Sequence, residues 1–123
     1  MKKKSRSKLV KDLDKVFSLY IRNRDSVDGR GSCVTCGATK NITEAHCGHF
    51  QSRRHYSTRW DEKNCAFQCA GCNLFKQGEQ YLFGLAIDKR FGKGTADSLI
   101  LQAKQTVKLS TADLEELIER YKM

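Results

Sequence analysis

Cys33-Val34-Thr35-Cys36 and Cys69-Ala70-Gly71-Cys72 bracket all three histidines of this 123-residue chain, and that bracket decides the fold. A two-residue gap lets one tight turn aim two thiolates at a single tetrahedral cation, and two such knuckles complete a closed zinc site. Between them lie His46, His49 and His55, then Asn64; Asn73 directly follows the second knuckle. Two other uses of these thiols stay open. One is a small finger joining Cys33 and Cys36 to His46 and His49; the other is free thiols without metal. The finger fits less well, because its gap and its histidine spacing are both shorter than such fingers use. The four-cysteine site therefore carries the weight. The segment between the knuckles is long for a plain ribbon, so the histidines sit in an insertion. Cys47 and Cys65 are left over, and a buried reduced thiol is the default for each.

The charge balance points to the partner. Twenty-three Lys and Arg against 14 Asp and Glu give +9, which favours a polyanion, either nucleic acid or an anionic membrane surface. No basic amphipathic helix with bulky apolar anchors stands out, so nucleic acid is preferred. No apolar run reaches membrane-spanning length, and the basic N-terminus lacks the apolar stretch of an export signal. A cytoplasmic protein is expected, and its C-x-x-C pairs then read as metal ligands rather than disulfides.

The chain reads as one α+β domain over residues 1–123. Residues 1–8 form a solvated basic tail. Leu9, Leu13, Val16, Phe17, Tyr20 and Ile21 recur at helical steps, predicting an amphipathic helix over 9–24. Asp28 to Ser32 is a flexible turn into the first knuckle. Residues 43–50 and 64–68 read as short strands joined by a polar, positively charged loop over 51–61. A helix opens at Cys69 or Ala70 and runs to about Gln77. The C-terminal third, 80–123, is helical. Its first helix, 80–91, is crowded with apolar residues and expected to be well buried. Thr95 is placed as the cap of the next helix, and Ser110 with Asp113 resembles a capping box for the last.

Phosphodiester hydrolysis needs a base for water, a divalent cation at the phosphate and an exit for the leaving alkoxide. His49, ending a strand, titrates in the right range for the base. Asn73 offers an oxygen donor of the kind Mg2+ prefers. The zinc clip would fix the distance between that strand and the segment carrying Asn73. Asn64 lies where its amide could brace the intervening loop and orient the His49 ring. Arg53, Arg54 and Arg59 are the candidate phosphate clamps, because guanidinium forks bind phosphate bidentately. Lys76 is a weaker one. Trp60 reads as core, and His55 as a loop histidine.

Cys33-Val-Thr-Cys36-Gly37, Gly48-His49-Phe50-x-x-Arg53, Arg59-Trp60-x-x-x-Asn64 and Gln68-Cys69-x-x-Cys72-Asn73-x-x-x-x-Gly78 resemble the lambda NinG (Rap) recombination nucleases. The arrangement is similar to the His-Me finger (HNH-type) nucleases with a structural zinc, phage endonuclease VII among them. The likeness covers about residues 30–85. It implies a zinc-stapled ββα-metal core over 30–78 flanked by helices, in a phage-encoded endonuclease that cuts Holliday junctions or other branched DNA. By this resemblance His49 is the general base, Asn64 the bracing residue and Asn73 a ligand of catalytic Mg2+ or Mn2+, while Cys33, Cys36, Cys69 and Cys72 hold structural Zn2+. HNH enzymes commonly carry an Asp or His ligand just before the base, where this chain has Gly48. His46, two residues earlier, would face the same side of the strand and is the candidate replacement, with a role beside the substrate as the alternative. A nitrogen donor there suits Mn2+ better than Mg2+. A non-catalytic zinc-dependent DNA-binding module and an HNH enzyme of restriction or homing type are the rival readings, and a homodimer is left open.

Overall fold

The computed structural model describes residues 3–123. The described residues form an α+β fold of five helices and two small antiparallel sheets. Helix α1 (Arg6–Arg24) starts where the Ser5 hydroxyl accepts the Lys8 N–H, and Arg22 and Arg24 sit at its negative end. The expected tail is thus partly helical: Arg6 to Lys8 form the first turn, while residues 1 and 2 lie outside the described residues. Leu9, Leu13, Phe17 and Ile21, each four residues on from the last, are all buried. Each such burial stabilises the fold by about 2 kcal/mol relative to exposure. Their partners include Trp60, Cys65, Leu114 and Tyr121. The Phe17 and Tyr121 rings meet edge-on with centroids 4.9 Å apart.

The stretch read as a flexible turn is a hairpin. Strands β1 (Ser26–Val27) and β2 (Arg30–Ser32) flank Asp28 and Gly29, both with positive φ (53° and 77°), as a two-residue hairpin loop requires. Strand β3 (Thr39–Asn41) completes this sheet in the order β1-β2-β3, and the first knuckle forms the β2–β3 connection. Gly31 has no room for a side chain, since a Cβ there would lie 2.7 Å from the Asp25 carbonyl oxygen.

Strands β4 (Ala45–His49) and β5 (Cys65–Cys69) form the second sheet, pairing Ala45 with Cys69 at one end and His49 with Cys65 at the other. The loop between them contains a short helix, α2 (Tyr56–Arg59), absent from the sequence reading. After β5 the chain winds through a single π turn, Gly71–Phe75, and stops short of Gln77, whose φ is +52°. Helices α3 (Gln80–Phe91), α4 (Thr95–Ala103) and α5 (Thr111–Tyr121) follow. Gly94 rather than Thr95 is the residue before α4, and the Asp88 carboxylate accepts the Ala96 N–H at 2.8 Å. The Ser110–Asp113 capping box of α5 is present in both directions.

Helix α3 is not well buried. Phe83 and Ile87 pack against Phe50, Ala66, Ala96 and Leu99, but Tyr81 is 78% and Leu85 51% exposed. The helix is apolar on several sides, and only the side toward Phe50 and α4 has a packing layer against it. Among the described residues, no helix is long and apolar enough to cross a membrane.

Candidate functional site

The two knuckles converge. The sulfurs of Cys33, Cys36, Cys69 and Cys72 lie within 4.8 Å of one another, with Cys36 and Cys69 at 3.7 Å. Cys33 follows β2, Cys69 ends β5 and Cys72 lies in the π turn, so the cluster joins both sheets. Knuckle N–H groups of Cys36 and Cys72 point at the sulfurs of Cys33 and Cys69, each at 3.5 Å. Burial works against ionising Cys33, but the Cys69 backbone and the Thr35 hydroxyl outweigh it and hold the thiol at about 6. Against the help of Thr35, burial and the neighbouring sulfurs push Cys72 up to about 12. Four crowded sulfurs cannot all ionise alone, whereas a bound cation would make every one a thiolate. The donor set fits a metal such as zinc.

At the far end of β4, His49 Nε2 lies 2.9 Å from the Arg59 carbonyl oxygen. A carbonyl only accepts, so this contact puts the proton on Nε2 and leaves a lone pair on Nδ1. Burial lowers the His49 pKa below its ordinary 6.5, with the Arg59 carbonyl opposing the shift. Asn64, fully buried, holds the loop that presents this carbonyl. Its Oδ1 accepts the Gln51 N–H at 2.8 Å, and its Nδ2 donates to the carbonyls of Gln51 (3.1 Å) and Thr58 (3.0 Å). Asn64 therefore acts on His49 through the backbone, without touching its ring.

Asn73, in the π turn, meets His46 on β4, with Nδ2 2.9 Å from Nδ1. Both line a cleft of about 310 Å3 together with Cys47, His49 and Arg53. Gly48 is explained by Gln68. This buried side chain donates to the Thr35 hydroxyl (3.1 Å) and the Gly78 carbonyl (2.8 Å), and it lies over the glycine. A Cβ at position 48 would stand 2.9 Å from the Gln68 Cβ, so no ligand side chain fits there.

The arginines divide. Arg53 and Arg54 are exposed, and Arg53 lines the cleft, with its guanidinium 3.8 Å from Asp14. Arg59, expected among the phosphate clamps, is instead committed internally. Its guanidinium grips both oxygens of Asp14 on α1 and lies over the rings of Tyr56 and Trp60. Trp60 is core, with Nε1 donating to Asp14 at 2.9 Å. Lys76 is exposed just beyond the π turn, and His55 precedes α2.

The family model described as Bacteriophage Lambda NinG protein matches residues 1–123. The chain belongs to the NinG family. It is 28% identical over 97 residues to "Protein ninG" of Escherichia phage 933W and to that of Salmonella phage P22, and 27% identical to that of Escherichia phage lambda. Each match covers 78% of this chain and 46% of the relative, so the chain spans about half the length of these phage proteins. No solved structure matches.

One grouping in this NinG-family chain escaped the sequence reading. Cys47 and Cys65, taken as leftover thiols, place their sulfurs within 4.8 Å of each other and of a His49 ring nitrogen. Burial, then hydrogen bonding with Cys47, raises the Cys65 thiol well above its ordinary 9.0. The signal available was alternation: Cys47 and His49 share a strand face. The cross-strand register that adds Cys65 is not written in any short motif.

Proposed function

We propose that this NinG-family chain is a divalent-metal-dependent DNA endonuclease acting on branched DNA. The observation that carries this reading is His49, its Nε2 proton fixed on the Arg59 carbonyl and its ring lining a cleft beside the His46–Asn73 pair. The hairpin β4–β5, the π turn and the cysteine cluster support reading this region as the ββα core of a zinc-stapled HNH nuclease. His49 Nδ1 takes a proton from water; the hydroxide attacks phosphorus, and the P–O bond to the leaving alkoxide breaks. Asn73 and His46 would hold a Mg2+ or Mn2+ ion that polarises the scissile phosphate when bound. Arg53 and Arg54 hold the phosphate backbone, and Lys76 adds a contact beyond the π turn. Contacts from these side chains to phosphate follow shape and charge rather than base sequence, and the preference for branched DNA rests on the resemblance to the recombination nucleases.

The test is cleavage of a labelled four-way junction, a flap and a plain duplex in Mg2+ and Mn2+. Cleavage of branched DNA in preference to duplex is expected. Binding without cleavage in either cation leaves a zinc-dependent DNA-binding module, and strong dependence on base sequence favours a restriction or homing type.

A further inference from the structure

Strand register builds a second cluster of metal donors on the opposite end of the hairpin from the four-cysteine site. Cys65 stands directly across from His49, and Cys47 lies two residues before His49 on the same face. The two sulfurs and a ring nitrogen are within 4.8 Å of one another. Zinc–sulfur bonds of about 2.3 Å and zinc–nitrogen bonds of about 2.0 Å bring tetrahedral ligands to within roughly 4 Å of each other, so small side-chain adjustments suffice. A disulfide is the poorer fit. Cys47 and Cys65 are diagonal partners, for which Cα atoms lie about 7–8 Å apart, at or past the reach of a bridge.

We propose that Cys47, His49 and Cys65 form a second, thiophilic metal site for a soft divalent cation such as Zn2+ or Cd2+, whose occupation silences His49. The silencing half rests on the nuclease reading; the site itself does not. Two thiolates and a neutral imidazole balance a divalent charge, and binding releases the two thiol protons to solvent. The Arg59 carbonyl oxygen, 2.9 Å from His49 Nε2 and 3.8 Å from the Cys65 sulfur, stands ready as a fourth donor. Half-buried Cys47 and His49 line the cleft of about 310 Å3, which provides the way in. Either ring nitrogen gives the same outcome. A metal on Nδ1 takes the lone pair itself, and a metal on Nε2 displaces that proton to Nδ1. His49 can then accept no proton from water. The hydrolytic centre and the soft-metal site thus share one imidazole and exclude each other.

The test uses the full chain carrying one zinc, titrated with Co2+. A second equivalent is expected, with sulfur-to-cobalt charge transfer and tetrahedral d–d bands. Cys47→Ala and Cys65→Ala should each lose that equivalent and keep the first metal. Absence of a second equivalent in wild type, or its persistence in Cys47→Ala, overturns the site. Because Cys47 is half-buried, its variant decides the question even if the variant of buried Cys65 does not fold. In a second arm, Cd2+ is added to a cleavage reaction in Mn2+. Wild-type cleavage should fall about 100-fold, the usual weight of an acid–base group, and recover on chelation, while Cys47→Ala keeps its own rate. Cadmium bound at the site with undiminished cleavage overturns the silencing. If no DNA is cut even without cadmium, the nuclease reading and the silencing built on it fail, and the cobalt titration still decides the site.

Discussion

His49 and Arg59 face each other across 2.9 Å, ring nitrogen to backbone oxygen. The contact fixes the imidazole tautomer with a backbone atom that no side-chain substitution removes. It is only as reliable as the loop that carries it, and that loop hangs on Asn64.

His49→Ala should lower the cleavage rate about 100-fold or more while DNA affinity stays within a few-fold, because a base acts on water in the transition state. Burial lowers the His49 pKa below 6.5, so the neutral ring persists into mild acid. The acidic limb of the pH–rate profile should therefore lie below that of an unperturbed histidine. Single-turnover cleavage across pH, with filter binding alongside, measures both.

Asn64→Ala removes three hydrogen bonds from a buried position and strips the Gln51 N–H and carbonyl of their side-chain partner, while the Thr58 carbonyl keeps the Asp61 N–H. Each unsatisfied buried group costs about 1–3 kcal/mol. Thermal melting should fall by several degrees and cleavage should weaken, with zinc content unchanged. A variant that melts like wild type would show that the loop does not depend on this amide.

Cys69→Ser should release the metal of the four-cysteine cluster and unfold the segment between the knuckles, since structural zinc contributes about 10 kcal/mol or more to small modules. Elemental analysis and circular dichroism read the outcome. Unchelated wild-type protein that contains no zinc would contradict it.

Acid stability should depend on Asp25. Burial opposes its charge, yet Arg24, Arg90 and the Phe67 N–H prevail and lower its pKa below 3.8. A carboxyl held low in the folded state stabilises the fold at pH values above its unfolded pKa. That contribution fades as pH falls through about 3.8 toward the lower folded value. Asp25→Asn should destabilise clearly at about pH 7, and its difference from wild type should shrink as pH falls below about 3.8. Urea midpoints across that pH range give the comparison.

Arg53→Ala with Arg54→Ala should weaken binding to all DNA sequences alike and flatten the slope of log affinity against log salt by about one per lost phosphate contact. Arg59→Ala should behave differently. It strips Asp14 of its guanidinium and lowers stability, with the salt slope changed little. Salt titrations of the two variants separate a surface contact from an internal one.

Helical periodicity and the Ser110–Asp113 box made α1 and α5 legible because each is written in neighbouring residues, and the cysteine cluster was legible because each two-residue knuckle is a local metal-binding signal that calls for a second one. Asn64 bonds the loop at Gln51 and Thr58, and its service to His49 belongs to the proposal. What escaped depends on partners distant in sequence. Arg59 looks like a phosphate clamp until Asp14, on another helix, is known to face it. The apolar residues of α3 read as core because sequence does not say how many layers pack against a helix. The β1–β2 hairpin, polar and two to three residues long per strand, has no alternation to detect, although Asp28-Gly29 is a recognised hairpin dipeptide. Cys47 and Cys65 gained meaning only once the register put them beside His49.

Positions 48 and 68 must be inherited as a unit. An aspartate introduced at 48 alone meets the Gln68 side chain, and trimming Gln68 alone deprives the Thr35 hydroxyl and the Gly78 carbonyl of their donor. Each single step carries its own cost, so the two positions are physically coupled. The next residue facing the same side as position 48 is His46. Across related phages the identities at 46, 48 and 68 should therefore vary together, with glycine at 48 accompanying a long side chain at 68.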